Sequence, residues 1–290
     1  MGRTYRTSTY LDKGGTGKTT CTAHLGVALQ QECDQDVLLI DLAGKQGDLA
    51  KTFGLWEEVQ TDIENEDDFP NIATTMEENW ANVVDLIGDP ADAVEQLVYE
   101  TGEGVDLIPA HPSLDALDAD LGNVDDAQER YARLQAFLDE YVDPLDYSMV
   151  ILDLPGVANN VTYNGLWATE SVVAPVQMGP LEFEQARGLQ TDLQGLSQSY
   201  GVDVELTMLI PNLYDRRTNL DKEVHDRFLE EFGDIVGPDR IVASQAIRKA
   251  TNSGHTLFEL EEDELTKTAR EARGAFVTTA EELLTRLDNE

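Results

Sequence analysis

Lysine is scarce in this 290-residue chain: 57 Asp and Glu outweigh 20 Lys and Arg, of which seven are Lys, leaving a formal net charge of −37. A carboxylate surface of this density repels itself at low ionic strength and needs concentrated counterions to stay compact. The composition therefore reads as salt adaptation, as in a halophile with a salty cytoplasm; the competing reading is an ordinary acidic protein. Cysteine is almost absent. Cys21 and Cys33 are too far apart for a C-x-x-C motif and too few for a disulfide framework, which excludes a disulfide-built domain and fits a reducing compartment. Long apolar runs are missing too: those at 37–40 and 149–152 have the length of buried strands, so no membrane span is expected. The first six residues lack an apolar signal core, and Arg6 stands where a myristoylation motif needs Ser or Thr. A soluble, cytoplasmic protein is expected.

What is present is 41% apolar residue, recurring at regular intervals, which excludes a disordered chain. Strand-like runs fall at 4–11, 37–42, 105–108, 149–152, 172–176 and 204–210, with a weaker one at 241–242. Helical periodicity fills 19–31, 127–141, 181–196, 220–232 and 265–287. Apolar strands alternating with helices predict an α/β fold, a mostly parallel twisted sheet with helices on both faces. No linker or internal repeat breaks the chain, so residues 1–290 read as one domain. Residues 56–100 are the least regular and read as an acidic surface insertion, within a stretch from Thr52 to Glu129 that holds 22 acidic residues and no Lys or Arg.

The strongest signal is Lys13-Gly14-Gly15-Thr16-Gly17-Lys18-Thr19-Thr20, directly after the first strand and before the first helix. Glycines let successive backbone N–H groups wrap an anion at a helix N-terminus, a lysine meets the terminal phosphates, and a hydroxyl reaches Mg²⁺. Here Gly14, Gly15 and Gly17 shape the loop around Thr16. Lys18 meets the β- and γ-phosphates, Thr19 offers the metal ligand, and Thr20 reaches the α-phosphate. Such sites also need carboxylates at neighbouring strand ends, where an open parallel sheet places its ligand crevice. Asp153 closes the run 149–152 and is followed by Pro155-Gly156, a switch-loop start; Asp41 closes the run 37–40. Each could instead only cap a turn.

The usual loop has a glycine where Asp12 stands, and carries no second lysine such as Lys13. This deviant loop, K-G-G-x-G-K-T-T, resembles that of the ParA/MinD superfamily of P-loop NTPases, and the resemblance to its ParA/Soj partitioning branch extends along the chain. Gly104-Val-Asp-Leu-Ile-Pro-Ala110, Ala174-Pro-Val-Gln177 with Glu182 and Gly188-Leu, and Asn212-Leu-Tyr-Asp-Arg-Arg-Thr-Asn-Leu220 follow the family's order. The resemblance implies an ATPase using ATP and Mg²⁺, with Lys13 reaching across a homodimer to the partner's nucleotide. Lys13, Lys18, Asp41 and Asp153 would form the catalytic set, Thr19 and Asp153 the metal set, and Asn212 would read the adenine edge; a bare turn-forming Asn is the other reading of Asn212.

It further implies non-specific DNA binding, a ParB-like centromere-binding partner, a nucleoid-associated location and segregation of chromosome or plasmid DNA. The segment 241–259 resembles the family's DNA-holding region, and Arg248 and Lys249 within it, with Arg216 and Arg217 before it, are the candidate DNA contacts. Ion pairs with nearby carboxylates are the competing use of these cations. Residues 212–290 hold 11 basic against 18 acidic residues, whereas residues 1–211 hold 9 against 39, so positive surface is confined to the C-terminal part. One departure bears on turnover: Ala43 occupies the place of the family's second Asp, so weak hydrolysis is expected unless Asp48 substitutes. Alternatives are a MinD-like positioning ATPase, against which the acidic C-terminal segment argues, and an adaptor for a protein cargo. No stable membrane association is expected.

Overall fold

The computed structural model describes residues 3–44, 47–65 and 69–289. Lys45 and Gln46 of the loop after the second strand, and residues 66–68 of the acidic segment, lie outside the described residues. The strands are β1 (Tyr5–Thr9), β2 (Val37–Asp41), β3 (Tyr99–Glu100), β4 (Asp106–Ile108), β5 (Met149–Asp153), β6 (Ser171–Gln177) and β7 (Glu205–Asn212). They form one seven-stranded sheet in the order β3-β4-β2-β5-β1-β6-β7, parallel throughout except for the antiparallel edge strand β3. This is the α/β architecture predicted from alternating apolar strands and helices. β2 and β5 are buried at every position, because helices cover both faces and leave no side of the strand for water.

The helices are α1 (Lys18–Glu32), α2 (Asp48–Thr52), α3 (Trp56–Asn65), α4 (Trp80–Ile87), α5 (Pro90–Glu95), α6 (Leu114–Leu121), α7 (Ala127–Tyr131), α8 (Arg133–Phe137), α9 (Asn160–Thr169), α10 (Pro180–Tyr200), α11 (Asn219–Phe232), α12 (Gln245–Asn252) and α13 (Lys267–Asn289). α1 packs on the central strands and against α13, while α9 and α10 pack against β1, β6 and β7. The helical pattern at 127–141 is not one helix. It divides into α7, α8 and a π-helical turn, Leu138–Val142, which turns Phe137 and Leu138 into the core. The weak run at 241–242 makes a single bridge, Tyr214 to Val242, rather than a strand.

Residues 56–100 contain α3, a 3₁₀ turn (Thr74–Met76), α4, α5 and β3. Trp80 from this segment is buried, its ring packed edge-on against Phe137 at 5.5 Å between centroids. The acidic residues thus decorate helices whose apolar sides reach the main core. β3 escaped the sequence reading because two residues carry no alternation.

Two contacts join the C-terminal segment to the first helix and to α2. His24, fully buried on α1, donates from Nδ1 to the Thr20 carbonyl (2.8 Å) and accepts the Leu257 N–H at Nε2 (3.3 Å), while its ring stacks on Phe276 of α13 (4.7 Å). This bonding requires the neutral ring, and burial pushes its pKa down to about 4, the Thr20 carbonyl opposing weakly. Gly54, just beyond α2, meets Gly254, just beyond α12, backbone against backbone: a Cβ on Gly254 would lie 2.8 Å from the Gly54 Cα.

Because the folded-state pKa of His24 lies below its unfolded value, the neutral ring stabilises the fold above about pH 6.5, and this is lost as pH falls toward 4. The wild type should lose on the order of 2 kcal/mol more stability than His24→Gln between pH 8 and pH 5. Urea midpoints of the two proteins at both pH values measure the difference.

Candidate functional site

The site lies at the C-terminal ends of the central strands, where β1 separates β5 from β6. The chain leaves β1, passes through residues 10–17 and enters α1 at Lys18, with Gly15 at φ 77° and Gly17 at φ 89°. These left-handed conformations are open to glycine without steric cost. They turn the loop tightly enough to aim the N-terminus of α1 at its interior, so unpaired helix N–H groups face the enclosed space.

Within the loop the Lys18 ammonium donates to the carbonyls of Lys13 (2.8 Å) and Leu11 (3.2 Å). Burial pushes its pKa down, and the charges of Asp153 and Asp12 oppose that shift. Gly156 presses on the same place: a Cβ there would lie 2.8 Å from Lys18 Nζ and 2.9 Å from the Lys13 carbonyl oxygen. The glycine that follows β5 thus lies directly over the phosphate loop.

Asp41 and Asp153 end adjacent parallel strands and are paired in register, both essentially excluded from solvent. Burial raises both carboxyl pKa values above the ordinary range, and for Asp41 the Asp153 charge raises it further. Asp41 Oδ1 accepts the Ala43 N–H at 2.8 Å and its carboxylate also takes the Leu49 N–H, so it organises the following loop. Asp153 accepts hydroxyls from Thr19 and from Thr22 (3.3 Å). Its second oxygen, Oδ2, is buried with no protein hydrogen-bond partner among the described residues. A Thr19 hydroxyl beside a dry carboxylate with a free oxygen is an all-oxygen donor set of the kind Mg²⁺ prefers. The residues present fit that ion.

Three further side chains hold the loop from outside. The Lys13 ammonium pairs with Glu182 Oε1 of α10 at 2.6 Å. Gln177, at the end of β6, donates from Nε2 to the Gly15 carbonyl at 3.1 Å. Asn212, at the end of β7, is buried; its Nδ2 donates to the Thr16 carbonyl (2.8 Å) and its Oδ1 accepts the Leu213 N–H (2.8 Å). Both ends of the Asn212 amide are engaged by backbone, and a Cβ on Gly17 would collide with it. The residue expected to read adenine therefore braces the loop in this structure, and reading a base edge would require it to exchange those bonds. In the sequence Glu182 and Gln177 are no more than letters of the motifs that carry the resemblance. Their contacts with the loop span more than 160 residues of chain, so no local spacing revealed them.

The four basic candidates do not form one cluster of free charges. Arg216 pairs with Glu271 (3.0 Å) and Arg217 with Asp215 (2.7 Å), whose carboxyl is thereby held down to about 2. Arg248 and Lys249 are exposed on α12, opposite its buried Ile247 and Ala250, and no ion pair joins either to a carboxylate among the described residues. Asp48 opens α2 and pairs with Lys51 at 3.1 Å.

A family model described as an AAA domain matches residues 7–206. The chain is 28% identical over 242 residues to the chromosome partitioning protein ParA of Caulobacter vibrioides, covering 83% of this chain and 82% of that protein. It is 27% identical to the sporulation initiation inhibitor protein Soj of Bacillus subtilis, covering 85% and 87%. Among solved structures, cobyrinic acid a,c-diamide synthase from Mycobacterium smegmatis with bound ADP and magnesium superposes with a TM-score of 0.67 at 25% identity, covering 93% of this chain and 91% of that one.

Gly156→Ala should push the Lys18 ammonium off its two carbonyls and crowd the Lys13 backbone. The expected loss is about 1–3 kcal/mol of stability, together with weaker nucleotide binding, read by thermal melting and by titration with a fluorescent ATP analogue. Unchanged melting and affinity would contradict the close approach.

Proposed function

Because the chain belongs to the AAA domain family and is ParA/Soj-like, we propose that it is an ATP-driven partitioning switch: Mg·ATP closes a homodimer, the dimer grips DNA without regard to sequence, and hydrolysis stimulated by a ParB-like partner resets it. We take the whole chain as one domain for this purpose. The observation that carries the reading is the second lysine, Lys13, placed at the mouth of a loop that already holds Lys18 at its centre. One lysine suffices for a nucleotide bound by a single chain; a second at the rim has use on a nucleotide approached from another subunit.

Exposed apolar side chains support a paired state. Val157, Leu181 and Leu213 are 50%, 74% and 38% exposed. Each directly follows or precedes a residue that touches the loop: Gly156 at Lys18, Glu182 at Lys13, and Asn212 at Thr16. Uncovered apolar groups next in sequence to residues that touch the loop suit burial against a second copy.

In this reading Lys18 exchanges its loop carbonyls for the β- and γ-phosphates, and the glycine-shaped loop offers its N–H groups to them. Thr19 and Asp153 would hold Mg²⁺, which supplies charge neutralisation between the phosphates. Asp41 keeps the following loop in place through the Ala43 and Leu49 N–H groups. Ala43 ends in a methyl group that cannot accept a proton or orient water, so turnover is slow, and Asp48, engaged with Lys51, does not replace the missing carboxylate without leaving that pair. This departure also favours a second reading, an adaptor that stays nucleotide-bound and positions a protein cargo. No helix among the described residues is long and apolar enough to cross a membrane.

On α12, Arg248 and Lys249 are the first candidates for DNA phosphate, with Arg216 and Arg217 available only after leaving their carboxylates. Each phosphate contact contributes about −0.9 to the slope of log affinity against log salt, so four contacts lose roughly five decades between 0.1 and 2 M. Two subunits acting together, with four exposed cations on their paired α12 helices, raise the affinity from which that loss is taken, and make nucleoid association depend on ATP.

Random-sequence duplex DNA in molar KCl should bind with Mg·ATP and not with Mg·ADP, and Lys18→Ala should abolish both nucleotide and DNA binding. No DNA binding with ATP occupancy confirmed would favour the protein-cargo reading. Restoring the carboxylate with Ala43→Asp should raise single-turnover phosphate release by about tenfold or more; an unchanged rate would show that residue 43 does not limit hydrolysis.

A further inference from the structure

We propose that Glu182 is a positioning residue that holds Lys13 against its own subunit until ATP-driven pairing draws the lysine away; this rests on the dimer reading above. The two sides of the ion pair are unequal. Glu182 lies in the first turn of α10, whose unpaired N–H groups favour a carboxylate. The helix begins at Pro180, which needs no N–H partner, and a Cβ on the preceding Gly179 would fall on the Glu182 carboxylate. Lys13, foremost, and also the residue's own N–H hold this carboxyl below its usual range, and it is only 14% exposed.

The lysine half is built to move. Its side chain is 31% exposed, and the two residues after it, Gly14 and Gly15, have open space where a side chain would be. Gln177 of the same β6–α10 turn grips the Gly15 carbonyl, so this turn clasps the loop at two points. An ammonium 2.6 Å from its own subunit's carboxylate is drawn back toward that subunit, and although its three N–H groups can serve two anions, reaching across an interface lengthens the contact with Glu182. In the proposal the pair loosens as Lys13 crosses, and its strength adds to the ATP concentration needed for pairing. At this exposure the pair is weak enough to exchange, equivalent to about a two- to fivefold change in an equilibrium constant, and salt screens it.

The test uses the full chain in two measurements. Competitive acetylation of nucleotide-free protein with acetic anhydride, read by mass spectrometry, reports how well Lys13 is shielded. Sedimentation velocity across an ATP titration reports the concentration that gives half-maximal dimer. Glu182→Gln, with Glu182→Ala as a second variant, should raise Lys13 labelling about two- to fivefold and lower the ATP midpoint by a similar factor. The gap from wild type should narrow between about 0.2 and 2 M KCl. Labelling of the lysines outside the loop, Lys51, Lys222, Lys249 and Lys267, should stay unchanged in the Glu182 variants, which a merely structural role for Glu182 would not produce. Unchanged labelling overturns the hold on Lys13, and an unchanged or higher ATP midpoint overturns its part in pairing. A wild type that stays monomeric at saturating ATP refutes the dimer reading instead, and the labelling result then still decides whether Glu182 holds the lysine.

Discussion

Two carboxylates set side by side in a dry place are the constraint around which this molecule is organised. Asp41 and Asp153 share a register position on adjacent central strands, behind helices that exclude water. Charge in such a position is costly in proportion to its dryness, and the direction of both pKa shifts records that cost. The surrounding residues relieve only part of it: Ala43 and Leu49 give N–H groups to one carboxylate, Thr19 and Thr22 give hydroxyls to the other, and one oxygen of Asp153 is left with none. A site so arranged is strongly biased toward a cation, and the helix that carries Thr19 and Thr22 is the one whose N-terminus closes the phosphate loop. Metal affinity and phosphate affinity are thereby built into one element.

The loop is in turn held from three strand ends. Gly156 after β5 lies over it, Gln177 at the end of β6 and Glu182 beyond it grip its backbone and its rim lysine, and Asn212 at the end of β7 takes the Thr16 carbonyl. These attachments come from segments far apart in sequence, so the shape of the resting loop reports on the packing of half the sheet. In the proposed reading a nucleotide competes with these same attachments, because the Lys18 ammonium and the Asn212 amide are occupied by protein carbonyls in this structure.

Much of this was legible in the residues themselves, for an identifiable reason. The loop chemistry is contiguous, so Lys13 to Thr20 declared itself. Asp41 and Asp153 each close an apolar run, and the burial of β2 and β5 on both faces follows from strands too apolar to face water. What escaped was either too short to have a period, as with β3, or depended on meetings across the fold. The division of 127–141 into α7, α8 and a π turn lies in the packing of Phe137 and Leu138, since both halves share one apolar periodicity. The pairing of Arg216 and Arg217 with carboxylates is a matter of which cation lies near which acid, and charge counts along the chain average that away.

The contact between Gly54 and Gly254 has a consequence of a different kind. Most packed pairs in a core can trade volume, one side shrinking as the other grows, and a lineage can drift through such exchanges. Here both partners already stand at the smallest size that the amino-acid alphabet contains, and both sit at positive φ. A larger residue at either position finds nothing opposite to trim. The join between the stretch that follows α2 and the one that follows α12 is therefore a place where the chain has no reserve of compensating changes, and substitution on one side can be absorbed only by moving backbone.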